Sequence, residues 1–248
     1  MKKLVILALT LAMCIGAAGA VLAAGKVLKF GADVAYPPFE YADEKTKEYT
    51  GFDIDFARAV GKYLGYEKTE IVNTAWDGLI PGLINGNFDA IISAMTITDE
   101  RKQAVDFSSP YFEAGQVIVV RKSDNSIKTK ADLKGKVVAV QLGTTGDFAV
   151  TPMKEIKRVS RFNTSPEALQ EVLNGAADAA CVDDLVGAEF VEKNPDKAKI
   201  AVKKFTVEFY GIAIKKGSKL TADINKAIAA LKKDGTYDKL YKKWFGNM

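Results

Sequence analysis

The sequence predicts an α/β protein built as two similar lobes, and three observations support this fold class. Short apolar segments alternate with helical segments, which is typical of largely parallel sheets flanked by helices. An Asn-Gly turn followed by Asp-Ala occurs twice in the same context, within residues 84–90 and 173–179. Polar residues directly follow four of the apolar segments, two in each half of the chain. The pattern therefore indicates two related sheets.

The first 24 residues stand apart from this fold. Two lysines precede the apolar segment Leu4–Leu11, and small residues continue through Ala24. This order is typical of a secretory signal peptide, with the cleavage point open between Ala20 and Ala24. The apolar segment is short for a membrane anchor. A lipid anchor through Cys14 is disfavoured because the larger Met13 precedes it. We therefore expect secretion to the periplasm or another extracytoplasmic space.

The composition excludes several functions. Without the two leading lysines the formal net charge falls from +4 to +2, so nucleic acid is not an expected partner. The chain has no histidine, which removes Ser-His-Asp and Cys-His catalysis and the commonest transition-metal ligand. Cys181 lies in an apolar segment and is expected to be a buried small hydrophobe. We expect no cofactor, no metal and no enzymatic activity.

The first half of the chain contains two predicted strands and two helices. Val27–Ala32 is apolar enough for a strand, and Phe52–Leu64 has the spacing of an amphipathic helix, with a glycine just past its end. Leu79–Ile84 predicts a short helix, and Asp89–Ile92 a buried strand.

The second half repeats this alternation. Val117–Arg121, Val137–Gln141 and Ala179–Asp183 are predicted strands. Ser165-Pro166-Glu167 predicts a helix start, with Ser165 as the N-cap, proline at the first position and an acid in the first turn. The tail from Thr221 to Phe245 predicts two helices separated near Asp234-Gly235.

Polar side chains follow four of the predicted strands. Asp33, Ser93, Gln141 and Asp183 each come at the end of an apolar segment. Ligands of open parallel sheets bind outside the carboxyl ends of the strands. Polar residues are also common at strand ends for structural reasons alone. That explanation accounts for any one of these four residues better than for all four together. The sequence therefore predicts a polar site shared by both lobes.

Two loops add candidate binding residues. Pro37-Pro38 predicts an extended, stiff loop that holds Tyr36 and Phe39 near Asp33, which suits a ligand with an apolar stem and a cationic tip. Both aromatic residues could instead belong to the core. In the segment 93–101, Thr98 is expected to cap a short helix with Arg101 one turn in, which suits a carboxylate. Alone, Arg101 would more often form a surface salt bridge.

Two other segments are less specific. The acids of Gly51-Phe52-Asp53-Ile54-Asp55-Phe56 favour a helix start and predict a structural role. The turn from Gln141 to Gly146 offers backbone N–H groups to an anion, but it lacks the lysine and spacing of a phosphate loop.

Together these motifs resemble bacterial solute-binding protein family 3, the polar amino-acid receptors of ABC importers. The resemblance covers nearly all of the chain after the signal. It includes Gly51-Phe52-Asp53-Ile54-Asp55-Phe56, Tyr36-Pro37-Pro38-Phe39, Trp76-Asp77-Gly78-Leu79-Ile80-Pro81, Ile97-Thr98-Asp99-Glu100-Arg101 and the ending Asp234-Gly235-Thr236-Tyr237…Trp244-Phe245. It implies a two-lobed periplasmic-binding-protein (Venus-flytrap) fold. Residues 25–114 plus 212–248 would form one lobe and residues 115–211 the other, with hinge segments near 113–117 and 209–212.

The resemblance also implies residue roles. Arg101 would bind the ligand carboxylate, helped by backbone N–H groups of Thr96 and Thr145, and Asp183 would bind the ammonium, helped by Thr96 and the Ala94 carbonyl. The remaining expected contacts are Asp33, Tyr36, Trp76, Ser93, Gln141 and Thr144. Ala94 stands where relatives often have serine and Gly146 where some have glutamine, so we expect the side-chain pocket to be reshaped.

The implied function is capture of a polar amino acid by hinge closure and its delivery to the permease of an ABC importer. Arginine is favoured, followed by glutamine, lysine and histidine, because a guanidinium can stack between aromatic rings and pair with a carboxylate. The protein is expected to be a monomer. Two alternatives remain: a carboxylic-acid dehydratase similar to cyclohexadienyl dehydratase, and an amino-acid-sensing receptor domain.

Overall fold

A computed structural model describes residues 25–246, and the predicted signal peptide with Cys14 lies outside the described residues. The elements of the first half are β1 (Val27–Ala32), β2 (Ala35–Tyr36), β3 (Glu40–Ala42), β4 (Tyr49–Thr50), α1 (Phe52–Tyr63), β5 (Lys68–Asn73), α2 (Leu79–Asn85), β6 (Ala90–Ile91), α3 (Arg101–Ala104) and β7 (Val105–Phe107). Those that follow are β8 (Phe112–Ala114), β9 (Gln116–Arg121), β10 (Val137–Gln141), α4 (Thr145–Val150), β11 (Arg158–Phe162), α5 (Ser165–Asn174), β12 (Ala179–Asp183), α6 (Asp184–Lys193), β13 (Ala198–Val202), β14 (Glu208–Tyr210), β15 (Ala213–Lys215), α7 (Leu220–Lys233) and α8 (Thr236–Phe245).

Two five-stranded sheets form the framework. The first has the order β5-β1-β6-β15-β7 and the second the order β11-β10-β12-β9-β13. In each sheet the first three strands in this order run parallel, and the fourth strand pairs antiparallel with both of its neighbours. The two sheets thus repeat one strand arrangement, with a central strand whose carboxyl end faces a shared cleft. This mixed α/β, two-lobed architecture is the predicted fold class.

The repeated Asn-Gly motif ends corresponding helices. Gly86 follows α2 with φ 80° and Gly175 follows α5 with φ 78°, both in the left-handed region that glycine adopts without strain. Each turn leads into a buried strand, β6 or β12. The internal repeat read from the sequence therefore corresponds to one helix–turn–strand unit in each sheet.

Two short strands join the halves. β8 leads from the first sheet into β9, and β14 leads back toward β15, and the two pair antiparallel through Tyr210↔Phe112 and Glu208↔Ala114. The Phe112 ring stacks on the Tyr210 ring with centroids 5.6 Å apart and meets Phe39 edge-on at 5.0 Å. The crossings are therefore anchored in an aromatic core beside the cleft.

Three local expectations differ from the structure. The cap of α5 is Thr164, whose hydroxyl accepts a hydrogen bond from the Glu167 N–H, so the N-cap lies one residue before the predicted Ser165. Pro37-Pro38 does not form an extended loop: its peptide bond is cis and lies in a tight turn between β2 and β3. Arg101 is the first residue of α3 rather than one turn in, and the N-cap is Glu100 and not the predicted Thr98, although the Thr98 hydroxyl accepts from the Arg101 N–H at 3.1 Å.

Among residues 25–246, no helix combines the length and apolar character needed to cross a membrane. Cys181, on β12, is buried and unpaired, as its apolar surroundings predicted.

Candidate ligand-binding site

The carboxyl ends of four strands meet at one pocket between the two sheets. Asp33, Ser93, Gln141 and Asp183, the four residues predicted from strand ends, all contribute to its wall. The complete lining is Asp33, Tyr36, Glu40, Trp76, Ser93, Ala94, Thr96, Arg101, Gln141, Thr144, Thr145 and Asp183. Every residue predicted to contact a ligand therefore lies in this pocket, together with one that was not predicted.

Arg101 provides the cationic end of the pocket. One guanidinium nitrogen donates to the carbonyl of Thr96 at 2.7 Å and another to the carbonyl of Gly143 at 3.2 Å. The guanidinium lies over the Trp76 ring, 5.0 Å from its centroid. Only two of its five N–H donors are used by these bonds. Arg101 is thus buried, held in a fixed orientation and still able to donate to a carboxylate.

Asp183 provides an anionic end. It lies at the last position of β12, where the hydroxyl of Tyr210 and the amide of Gln116 donate to its two oxygens. Burial, together with the nearby charge of Glu208, raises the pKa of Asp183 to about 6. A cation placed beside this carboxylate would stabilise its ionised form.

A second carboxylate, Asp33, lies where β1 ends. The Gln141 side chain donates to it at 2.9 Å, and Gln141 itself accepts from the Ser165 hydroxyl at 2.9 Å. The Asp33 N–H donates to the Ser93 hydroxyl at 3.0 Å. Burial raises the pKa of Asp33, and the bond from Gln141 opposes that effect. The residue is therefore oriented by both sheets.

Several contacts cross the pocket from one sheet to the other. Trp76 donates from its indole nitrogen to the carbonyl of Gly143 at 3.2 Å, and the hydroxyls of Thr96 and Thr145 are 3.4 Å apart. Thr144 caps α4 by accepting from the Asp147 N–H at 3.3 Å, which leaves Thr145 at the start of the helix facing the pocket. The two sides of the pocket are in direct contact.

The two positions that depart from the family pattern differ in their surroundings. Ala94 lines the pocket and adopts a left-handed φ of 44°, held there by its N–H bond to Asp53 at 2.7 Å. Gly146 does not line the pocket. A Cβ atom on it would lie 2.8 Å from the Gln116 side-chain oxygen and 2.9 Å from the Cys181 carbonyl. Gly146 thus packs against Gln116 and Cys181, and its effect on the side-chain pocket stays a prediction.

Four residues around the site were missed by sequence reasoning. Glu40 lines the pocket, Gln116 and Tyr210 bind Asp183, and Glu208 accepts from the Thr96 hydroxyl at 3.0 Å. Glu40 follows Phe39 in the first loop motif, and the other three lie next to the two crossings between sheets. The last three could have been found by looking for polar side chains in the segments that connect the two sheets, next to apolar strands.

Asp53 takes the structural role predicted for it. It lies fully buried on α1, and its carboxylate accepts from the Ala94 N–H and from the Tyr111 hydroxyl, both at 2.7 Å. Within residues 25–246 no group of three or more acidic, cysteine or histidine side chains is arranged to hold a metal ion.

Comparisons with known proteins agree with this architecture. Residues 28–247 match the bacterial extracellular solute-binding proteins, family 3. The chain is 38% identical to ABC transporter arginine-binding protein 1 of Escherichia coli (strain K12), over 99% of both chains. It is 48% identical to an ancestral arginine-binding protein solved bound to glutamine, with a TM-score of 0.85 over 89% of this chain and 98% of that one.

A second similar structure is the ancestral amino acid-binding protein AncCDT-1, a precursor of cyclohexadienyl dehydratase. The identity is 46% and the TM-score 0.81, over 88% of this chain and 95% of that one. The family match spans nearly all of the described residues, and the structural matches include both sheets. The chain therefore belongs to the bacterial extracellular solute-binding proteins, family 3.

Proposed function

We propose that this protein binds a free polar amino acid in the pocket between its sheets, with arginine preferred, and presents it to the permease of an ABC importer. The observation that carries the proposal is the pair of opposite charges at the pocket, Arg101 on the first side and Asp183 on the second. An amino-acid zwitterion has the complementary pair, a carboxylate and an ammonium, on one carbon atom.

The balance of charges supports a cationic side chain. Arg101 contributes one positive charge to the pocket, while Asp33, Glu40 and Asp183 contribute three carboxyl groups, of which Glu40 is bound to the Ser93 hydroxyl. After Arg101 and Asp183 pair with the zwitterion, Asp33 is left for the side chain. A guanidinium would pair with Asp33 and stack on Tyr36 or Trp76. Glutamine fits the same position with its amide, and lysine and histidine follow.

The mechanism proposed is hinge closure. Arg101 and Asp183 belong to different lobes, so both ends of the zwitterion are bound only when the lobes close. Moving such an equilibrium from mostly open to mostly closed requires about 5.5 kcal/mol of preference. Charge-assisted hydrogen bonds of about 1.5–3 kcal/mol each can supply it. The hinge would be the paired crossings β8 and β14, with residues 25–114 and 212–248 in one lobe and 115–211 in the other.

We also propose that the protein acts outside the cytoplasm as a monomer, after cleavage of the signal within residues 1–24. The dehydratase alternative requires a protonated carboxyl that is free to reach the ligand. Asp183 accepts from Tyr210 and Gln116, Asp33 accepts from Gln141, and Glu40 accepts from the Ser93 hydroxyl. These engaged carboxylates favour binding over catalysis.

Calorimetric titration of the twenty amino acids into the unfolded and refolded protein tests the proposal. Refolding removes any ligand retained from the expression host. Saturable binding of arginine, tighter than that of glutamine, lysine and histidine, is expected. Absence of binding by every amino acid would refute the function. Turnover of a cyclohexadienyl carboxylic acid by the same preparation would replace it with the dehydratase alternative.

A further inference from the structure

We propose that Glu40 and Asp53 share a single proton, and that this buried carboxyl pair positions the floor of the ligand pocket. Neither residue has a role in the zwitterion contacts described above. The pair itself is defined by the fold alone, whereas its effect on ligand affinity rests on the proposed function.

The hydrogen bonds around the pair leave one oxygen of each carboxyl unmatched. Both side chains are fully buried. Glu40 accepts from the Ser93 hydroxyl at 2.8 Å through Oε1, and Asp53 accepts from the Ala94 N–H and the Tyr111 hydroxyl through Oδ2. Glu40 Oε2 and Asp53 Oδ1 are buried and have no other partner. The groups that bind the two carboxyls, the Ser93 hydroxyl and the Ala94 N–H, belong to adjacent residues, which places the carboxyls side by side. A proton between the two unmatched oxygens would satisfy both.

The environment assigns the proton to Glu40. Asp53 accepts two hydrogen bonds from its surroundings and Glu40 accepts one, so the ionised form of Asp53 is stabilised more. The titratable groups facing Glu40 are Asp53 on α1, Asp33 after β1, Tyr36 on β2 and Tyr111 before β8. All are acids or phenols. Burial, and then the Asp53 charge, raises the pKa of Glu40 well above its usual range.

The protonated pair connects three parts of the pocket. Asp53 holds the N–H of Ala94, a residue in the left-handed region, and Glu40 holds the Ser93 hydroxyl. That hydroxyl accepts in turn from the Asp33 N–H at 3.0 Å. A neutral Glu40 also leaves Asp33 as the carboxylate available to a ligand side chain. One carboxylate can pair with a side chain that carries one positive charge.

The first test is infrared spectroscopy of the wild-type protein at pH 7.5, without ligand. A carbonyl stretching band of a buried protonated carboxylic acid is expected, and it should disappear in Glu40→Gln, which supplies an amide donor in place of the acid. Glu44 is exposed and lies two residues after the end of β3. It offers the matched control Glu44→Gln, which should retain the band. Absence of the band in the wild-type protein would overturn the proposal.

The second test follows unfolding against pH. Because the pKa of Glu40 is raised in the folded state, folding takes up a proton, and this contribution to stability is lost as pH rises toward the folded pKa. Burial also raises the pKa of Asp53 to about 7, so the unfolding equilibrium constant of the wild-type protein should increase relative to that of Glu40→Gln by at least about tenfold per pH unit between about 4.3 and 7. If Glu40→Gln does not fold, Asp53→Asn provides the same comparison, since its amide also donates to the facing oxygen. A ratio that is constant from pH 5 to 7.5 would show that no proton is shared.

The third test concerns positioning. Glu40→Gln should bind arginine within about threefold of the wild-type affinity, because it keeps the bonds to Ser93 and Asp53. Glu40→Ala should weaken binding about tenfold or more, since both partners then lose their bond. Equal affinities of Glu40→Ala and the wild-type protein would refute the positioning role, even with the shared proton established. If the wild-type protein does not bind arginine at all, the proposed function is refuted, while the infrared and unfolding results still test the shared proton.

Discussion

Replacing Asp183 with asparagine removes the charge of the proposed ammonium partner at nearly constant size and keeps one of its two acceptor oxygens. A charge-assisted hydrogen bond contributes about 1.5–3 kcal/mol and a neutral one about 0.5–1.5. The substitution should therefore weaken arginine binding at pH 7.5 by about 1–2 kcal/mol, or roughly 5–30-fold. The substitution should also change how the affinity for arginine depends on pH. This second effect distinguishes loss of the Asp183 charge from general damage to the site.

The pKa of Asp183 is raised to about 6 by burial, so a proton competes with the ligand ammonium near neutral pH. The ionised form binds the ammonium, and affinity is therefore lost as pH falls through about 6. At pH 5 the wild-type affinity should be about tenfold below its value at pH 7.5, which corresponds to about 1.4 kcal/mol. Asp183→Asn should show little of this decrease.

Calorimetry with arginine between pH 5 and 8 measures both effects, since neither the guanidinium nor the α-carboxylate of arginine titrates in this range. The matched control is Asp184→Asn, the next residue along the chain, whose carboxylate forms an ion pair with Lys204 at 3.4 Å away from the pocket lining. The control should keep the wild-type affinity and its pH profile. Unchanged affinity in Asp183→Asn, or the same decrease below pH 6, would refute the assignment of Asp183.

Three further predictions concern other contacts. Arg101→Ala should weaken binding of every amino acid by more than roughly 100-fold in calorimetry, because two charge-assisted bonds of about 1.5–3 kcal/mol are lost; normal binding would remove Arg101 from the site. Asp33→Asn should weaken arginine binding roughly 5–30-fold and change glutamine binding much less, and equal losses for both ligands would contradict a side-chain role. Gly146→Ala should destabilise the fold by about 1–3 kcal/mol, measured as a lower Tm, because its Cβ would lie 2.8 Å from a side-chain oxygen. Gly78→Ala, whose Cβ would meet only Thr74 at 3.2 Å, is the control and should lower Tm less; equal Tm values would contradict the steric argument.

Most strands and helices could be predicted from local patterns. β1, β10 and β12 have the predicted bounds, because a buried strand requires a continuous apolar segment and ends where that segment ends. The cap of α5 was misplaced by one residue, since Thr164 and Ser165 are both good N-caps and only the backbone geometry distinguishes them. The turn at Pro37-Pro38 was missed because proline restricts the backbone in both extended and turn conformations.

The candidate site was predictable where its residues follow strands. Asp33, Ser93, Gln141 and Asp183 come together because the parallel strands of each sheet end at the same edge. Glu40 and Tyr210 were not predicted, since their closeness to the pocket depends on the turn between β2 and β3 and on the pairing of β8 with β14. Both features arise from contacts between segments far apart along the chain.

The sequence by itself determined the two-lobed α/β fold class, the absence of histidine chemistry and the charged residues of the pocket other than Glu40. Each of these depends on residue types and on periodicity within a few turns or strands. Only the tertiary structure decided that Gly146 packs against Gln116 and Cys181 instead of the pocket, and that Glu40 and Asp53 are fully buried with one carboxyl oxygen each left without a partner. Burial and the distance between remote carboxyls set where a proton resides, and neither quantity is encoded in any local pattern of the chain.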